Sequence, residues 1–233
     1  FLSAEDKNFF RDNLVSMQFN SSITSLLLDV GISTAGMEVA PVSGGGNNKV
    51  FAVHTKSGKY LVKIYYSNSS DKRNRLNAEY SFLEYARKIG IQCVPKPISS
   101  IPENNMGLYE FVQGQKLTSS ELASQHILQA ANFVRALNES LEKDNALPTA
   151  SEGCFSIEQH LLFTDMRVKK LLTLPVVSEI DKQAFLFVCN LDSVWKKLKE
   201  NIFARCDSIS IQLDAADRCI SPSDFGFHNA LLR

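Results

Sequence analysis

Residues 219–233 read CISPSDFGFHNALLR, and they place Asp224 five positions before Asn229 between short apolar runs. A loop of that length can turn a carboxylate and a carboxamide toward the same cleft. Where a phosphoryl group is transferred, an aspartate can accept or orient the proton of an acceptor hydroxyl. An asparagine nearby can give a neutral oxygen to magnesium without competing for that proton. Asp and Asn also abound in ordinary turns, so the meaning of the pair depends on what precedes it.

Upstream, EVAPV, KVFAVHT and KYLVKIYY are short, rich in β-branched and aromatic residues, and separated by SGGGNN and KSG. They predict strands within residues 38–66, with more within 91–112. Three glycines between two strands let a backbone approach a ligand closely, or simply form a hairpin. Alternation along the third strand puts Leu61, Lys63 and Tyr65 on one face and Val62, Ile64 and Tyr66 on the other. A mid-strand lysine must reach water or find an anion. One helix is predicted between Tyr66 and Val94, capped at SSD and ended by Gly90, with Leu76, Tyr80, Leu83 and Ala86 at helical spacing. Glu79 falls inside that apolar stripe, where a carboxylate is costly without a cation. Lys63 and Glu79 are therefore expected to pair, with Glu84, Arg87 and Lys88 on the solvated side.

Beyond about residue 116 the pattern turns helical. TSSE (118–121) reads as a capping box ahead of a stripe at Ala123, Ile127, Ala130, Val134, Leu137 and Leu141. Further helices are expected over 156–173 and 178–203, with Trp195, Phe185, Phe187 and Phe203 in their core. A sheet-rich half followed by a helical half, joined through YEFVQGQ, predicts a bilobal α+β protein. The expected division is an N-terminal lobe of residues 1–112, opening with a helical segment, and a helical lobe of 113–233.

The chain has 233 residues, 44% hydrophobic and 21% charged, with 25 basic and 25 acidic side chains. That balance argues against a nucleic-acid binder, which carries a basic excess or stripe. No apolar run is long enough to span a bilayer. Five scattered cysteines without a CxxC pair suit a reducing compartment, the cytoplasm. GxxxxGK[ST], HExxH and GxSxG motifs are absent. His54, His126 and His160 lack metal-ligand spacing.

The ordered set of glycine hairpin, strand lysine, helix glutamate, hinge and D-x4-N loop resembles the aminoglycoside phosphotransferase and choline-kinase-like family of small-molecule kinases, which share the protein-kinase fold. The resemblance covers residues from about 38 to 233. It implies that Ser43, Gly44, Gly45, Gly46 and Asn48 belong to a nucleotide-covering loop. It implies that Lys63 contacts the α- and β-phosphates of ATP, with Glu79 as its partner. Tyr109 to Val112 would be the adenine hinge, read through the Glu110 carbonyl and the Val112 amide. Asp224 would be the catalytic base and Asn229 a ligand of Mg2+. The family commonly carries HGDxxxxN here, whereas this chain has SPSDFGFHN, with Pro222 where the histidine is usual.

The resemblance also implies a second acidic magnesium ligand in a strand after this loop, so polypeptide is expected beyond Arg233. The implied activity is transfer of phosphate from ATP to a hydroxyl of a small molecule. An inactive kinase fold serving as a nucleotide-binding or interaction module is the alternative. Residues 118–217 hold ten Lys and Arg against fourteen Asp and Glu, a mild acidity that suits a cationic acceptor or simply reflects scattered surface charge. The sequence leaves oligomeric state open.

Overall fold

The computed structural model describes residues 19–42, 48–67, 73–139, 147–222 and 224–233. Five strands, β1 (Glu38–Pro41), β2 (Lys49–Thr55), β3 (Gly58–Ile64), β4 (Pro97–Ile101) and β5 (Met106–Glu110), form one sheet in the order β1-β2-β3-β5-β4. All neighbours are antiparallel, with Phe51 opposite Val62, Val62 opposite Leu108 and Lys63 opposite Gly107.

The two faces of the sheet bury different clusters, as period-two alternation requires. Phe51, Val53, Val62, Met106 and Leu108 pack against Ile23, Leu26 and Leu27 of helix α1, which occupies residues 19–28. Tyr65 and Tyr109, joined by the half-buried Leu61, face the other way. They meet Leu76, Leu83, Tyr85 and Ala86 of α2 (Arg75–Lys88) and Leu137 of α3 (Ser124–Glu139). The Tyr85 hydroxyl is buried and donates to the Leu137 carbonyl at 3.2 Å.

Three local expectations are corrected. Helix α2 starts after Asn74, whose side chain accepts from the Asn77 N–H at 2.9 Å; the SSD proposed as its cap lies outside the described residues. At its other end the helix closes as expected before Gly90, with bonds from Gly90 to Arg87 and from Ile91 to Ala86, respectively the five-to-two and six-to-one bonds of a Schellman cap. TSSE does not start α3. Glu121 reaches back to the Thr118 N–H at 2.8 Å, but this closes a turn, and the helix begins at Ser124. The buried side of α3 runs through His126, Ala130, Phe133 and Leu137 rather than through Ile127 and Val134, which are exposed. His126 is admitted to that side because its Nδ1 accepts from the Ala123 N–H at 3.0 Å.

By compactness the described residues form two units: those up to Thr149 together with Ile220–Arg233, and Ala150–Cys219. The second contains α4 (Ile157–Leu172) and α5 (Glu179–Arg205). Ser156 caps α4, and Ser178 with Asp181 forms a capping box on α5. Asp165 of α4 accepts from Trp195 Nε1 at 2.6 Å and from Lys199 Nζ at 2.8 and 2.9 Å, which ties the two helices together. Phe185, Phe187 and Phe203, expected in a core, are exposed on α5.

The buried hydroxyl of Tyr85 yields a direct test of the packing between α2 and α3. Tyr85→Phe keeps the ring but leaves the Leu137 carbonyl without that donor. Stability should fall by about 1 kcal/mol in urea unfolding, with the m-value unchanged.

Candidate active site

The first unit contains each described residue that the sequence proposed for the site. Lys63, the last residue but one of β3, points to the α2 side of the sheet, and its Nζ lies 2.6 Å from Glu79 Oε2. Helical spacing sets Glu79 on the face of α2 that carries Leu76 and Leu83, so burying those leucines carries the carboxylate to the lysine. Lysine and glutamate side chains stay 21% and 38% exposed. Screening therefore limits the pair's contribution to stability to about 1 kcal/mol or less. Its consequence is positional, because the ammonium is held at a fixed place on an otherwise apolar face.

Around the pair lies a tyrosine cluster that sequence reasoning missed. The Tyr65 ring centroid is 5.0 Å from Lys63 Nζ, and the Tyr65 and Tyr109 hydroxyls are 2.7 Å apart. Tyr80 of α2 stacks obliquely on Tyr109 at 6.1 Å. Gly107, opposite Lys63, is what lets the Tyr109 ring fold back over the strand. A Cβ there would lie 2.7 Å from Tyr109 Cε2 and Cζ. A glycine flanked by Met106 and Leu108 was the one available signal in the sequence.

Burial first, and then the Glu79 carboxylate, hold the Tyr65 hydroxyl well above the ordinary tyrosine range. Burial likewise raises Tyr109, although the bond from Tyr65 works against it. Both hydroxyls therefore remain neutral donors beside the Lys63–Glu79 pair.

At the end of β5, Glu110 makes an ion pair with Arg87 of α2, Nη2 to Oε2 at 2.6 Å. Arg87, assigned to the solvated side from spacing, is thus turned toward the sheet. Val112 follows, half-buried, in the segment that leaves β5. Of the predicted glycine loop, Ser43, Gly44, Gly45 and Gly46 lie outside the described residues. Asn48 accepts from the Tyr66 N–H at 3.0 Å and so joins the ends of β2 and β3.

The segment of Asp224 and Asn229 is fastened at three points. Asn138 of α3 clasps Ile220 through both main-chain groups, accepting from its N–H at 2.7 Å and donating to its carbonyl at 3.0 Å. Phe225 stacks on Phe133 of α3 at 5.2 Å. Leu232 exchanges main-chain bonds of 2.9 and 3.1 Å with Gln115, three residues after Val112. Gly114 permits that approach, since a Cβ would stand 2.7 Å from the Leu232 carbonyl oxygen.

Within the segment, Asn229 Nδ2 donates to the Asp224 carbonyl at 2.9 Å and to its Oδ2 at 3.2 Å. The predicted spacing does bring the two side chains together. The amide nitrogen faces the carboxylate, which leaves the Asn229 amide oxygen on the other side. His228 Nε2 sits 3.1 Å from Asn229 Nδ2 and 3.7 Å from Asp224 Oδ1. The Asp224 side chain is 86% exposed, so its oxygens are open to a reactant.

A sequence model of the phosphotransferase enzyme family, APH, matches residues 38–203. The chain belongs to this family. Among solved structures it is similar to spectinomycin phosphotransferase, seen with ADP and spectinomycin (TM-score 0.51, 14% identity, 84% of this chain and 60% of that one). It also matches choline kinase from Cryptosporidium parvum (TM-score 0.44, 18% identity, 69% and 45%) and ethanolamine kinase from Plasmodium vivax (TM-score 0.47, 14% identity, 72% and 47%). The chain thus spans about half the length of the kinases it matches. No curated protein matches it. As a phosphotransferase-family chain it has the bilobal α+β, protein-kinase-like fold class expected from the resemblance. Among the described residues no helix is long and apolar enough to cross a membrane.

The raised tyrosines fix a pH dependence for the site's scaffold. Unfolded tyrosines lose their protons near pH 10, while folded Tyr65 and Tyr109 keep theirs. The folded state then binds more protons than the unfolded one, so stability is full below about pH 10 and declines as pH rises above it. Thermal melts between pH 8 and 11 should show that decline, with a shallower slope in Tyr65→Phe.

Proposed function

We propose that this phosphotransferase-family chain moves the γ-phosphate of ATP to a hydroxyl of a small molecule. The observation that carries the reading is the Lys63–Glu79 pair at 2.6 Å, in a chain whose Asp224–Asn229 loop is tied by Leu232 to the segment following the hinge. We take the hinge at Tyr109–Val112 as the junction between the lobes of residues 1–112 and 113–233. The Glu110 carbonyl and the Val112 amide would receive the adenine edge. Ser43 to Gly46, with Asn48 at their end, would cover the phosphates.

Lys63 Nζ would neutralise α- and β-phosphate oxygens, and Glu79 would keep it there when the nucleotide leaves. Asp224, exposed and held only on its Asn229 side by the bonds described, would accept or orient the proton of the acceptor hydroxyl. Phosphoryl transfer asks mainly for positioning and charge stabilisation, and these residues supply both.

The fit to Mg2+ rests on donor chemistry. Asn229 offers, through its amide oxygen, the kind of ligand a hard cation takes. Among the described residues no group of three His, Cys, Asp or Glu could hold an ion, so the cation would be shared with nucleotide phosphates. When bound, it would neutralise charge on the transferring group. The five cysteines are free, which supports a reducing compartment and the cytoplasm as the proposed setting. Pro222 in place of the usual histidine bears on the support of the loop more than on its chemistry, and the second reading is an inactive kinase-fold module.

One experiment separates these readings. ADP release should depend on an added acceptor when the protein is offered hydroxylated metabolites and aminoglycosides with ATP and magnesium. Asp224→Asn should lower that turnover by about 10²–10⁴ while nucleotide affinity changes little. Near-normal turnover in a folded Asp224→Asn variant would make Asp224 a turn residue. ATP binding without turnover on any acceptor would support the inactive module.

A further inference from the structure

In a hydrogen-bonded antiparallel pair, two residues exchange both main-chain bonds. Glu110 and Lys96 exchange one. The Glu110 N–H donates to the Lys96 carbonyl at 2.9 Å. The Lys96 N–H, however, donates to the Glu110 side chain, Oε2 at 3.1 Å, where a regular ladder would use the Glu110 carbonyl. The site lies beside a register shift between β4 and β5 at Pro97 to Ser99. Glu110 thus replaces its own carbonyl in the ladder with its carboxylate.

Arg87 holds that substitution in place. Its Nη2 is 2.6 Å from the same Oε2, and its Nη1 donates to Gln92 Oε1. Its Nε is buried without a hydrogen-bond partner among the described residues, a cost that calls for a compensating role. A guanidinium fixed on Gln92 and Glu110 fills that role, since a charge-assisted bond to a carboxylate is stronger than a neutral one. Lys96 N–H and Arg87 Nη2 converge on one oxygen. Loss of the carboxylate would free the Lys96 N–H to bond the Glu110 carbonyl in the ordinary ladder, and loss of the arginine would remove the group that holds the carboxylate against that N–H.

We propose that Arg87 and the Glu110 carboxylate are positioning groups that keep the Glu110 carbonyl out of the sheet and available to the exocyclic amine of an adenine nucleotide. This rests on the nucleotide reading above and deepens it, because it names what the site recognises in the base. It also gives α2 two attachments on one rigid element. Glu79 sets the phosphate end through Lys63, and Arg87, two helical turns later, sets the base end.

The test compares ATP with purine ribonucleoside triphosphate, which lacks the 6-amino group, by calorimetry in magnesium. The wild-type protein should prefer ATP by about three- to tenfold, the worth of one neutral hydrogen bond. Arg87→Met and Glu110→Ala should each bring that ratio close to one, and Arg87→Lys should retain part of it. Loosening of α2 alone would weaken both nucleotides alike, through Lys63, and leave the ratio intact. An intact ratio in folded Arg87→Met and Glu110→Ala would overturn the proposal, as would a wild-type protein that binds both nucleotides equally. A wild-type protein that binds neither would instead overturn the nucleotide reading itself.

Discussion

A lysine between apolar strand neighbours must turn its ammonium to water or to an anion. In this chain α2 delivers the anion, and much of the first unit follows from that delivery. Glu79 reaches Lys63 only when Leu76 and Leu83 are buried against the sheet, and these need Tyr65 and Tyr109 as their floor. The pair itself adds little stability at its exposure. Its value lies in specificity: a helix rotated or shifted by one residue would bury the leucines poorly and leave the carboxylate and ammonium unpaired. Apolar packing supplies the energy, and the ion pair selects one arrangement.

The same core extends to the segment of Asp224 and Asn229. Leu137 of α3 lies in the cluster with Tyr65 and Tyr109, and the next residue, Asn138, holds Ile220. One helix thus contributes a core residue on one side and a clamp for the Asp224 segment next to it. The far end of that segment returns to Gln115 through Leu232. The segment after β5 and the Asp224 segment are therefore fixed to each other by main-chain bonds, which carry no side-chain signature.

That distinction explains what could be read in advance. Lys63 and Glu79 were legible because each conflicts with its own period: a charge inside an apolar alternation, and a charge inside an apolar helical stripe. Asp224 and Asn229 were legible as a spacing. Arg87 was misassigned because the pattern between Leu83 and Gly90 puts it at the margin of the stripe, and only the position of Glu110, 23 residues away, decides which way it turns. The link between Asn138 and Ile220 spans 82 residues, a separation at which periodicity is silent. The stripe on α3 was displaced because the start of the helix was set at TSSE, and a buried histidine was not expected to take an apolar position. The exposed phenylalanines of α5 show the limit of reading hydrophobicity as core.

The central claim is that Glu79 acts on nucleotide phosphates through Lys63 and not by itself. A double-mutant cycle on ATP affinity, with Lys63→Met, Glu79→Gln and the two combined, measures this most directly. The account predicts that each single change weakens binding and that the double variant binds no more weakly than Lys63→Met alone. Additive losses, or a Glu79→Gln variant with unaltered affinity, would contradict it.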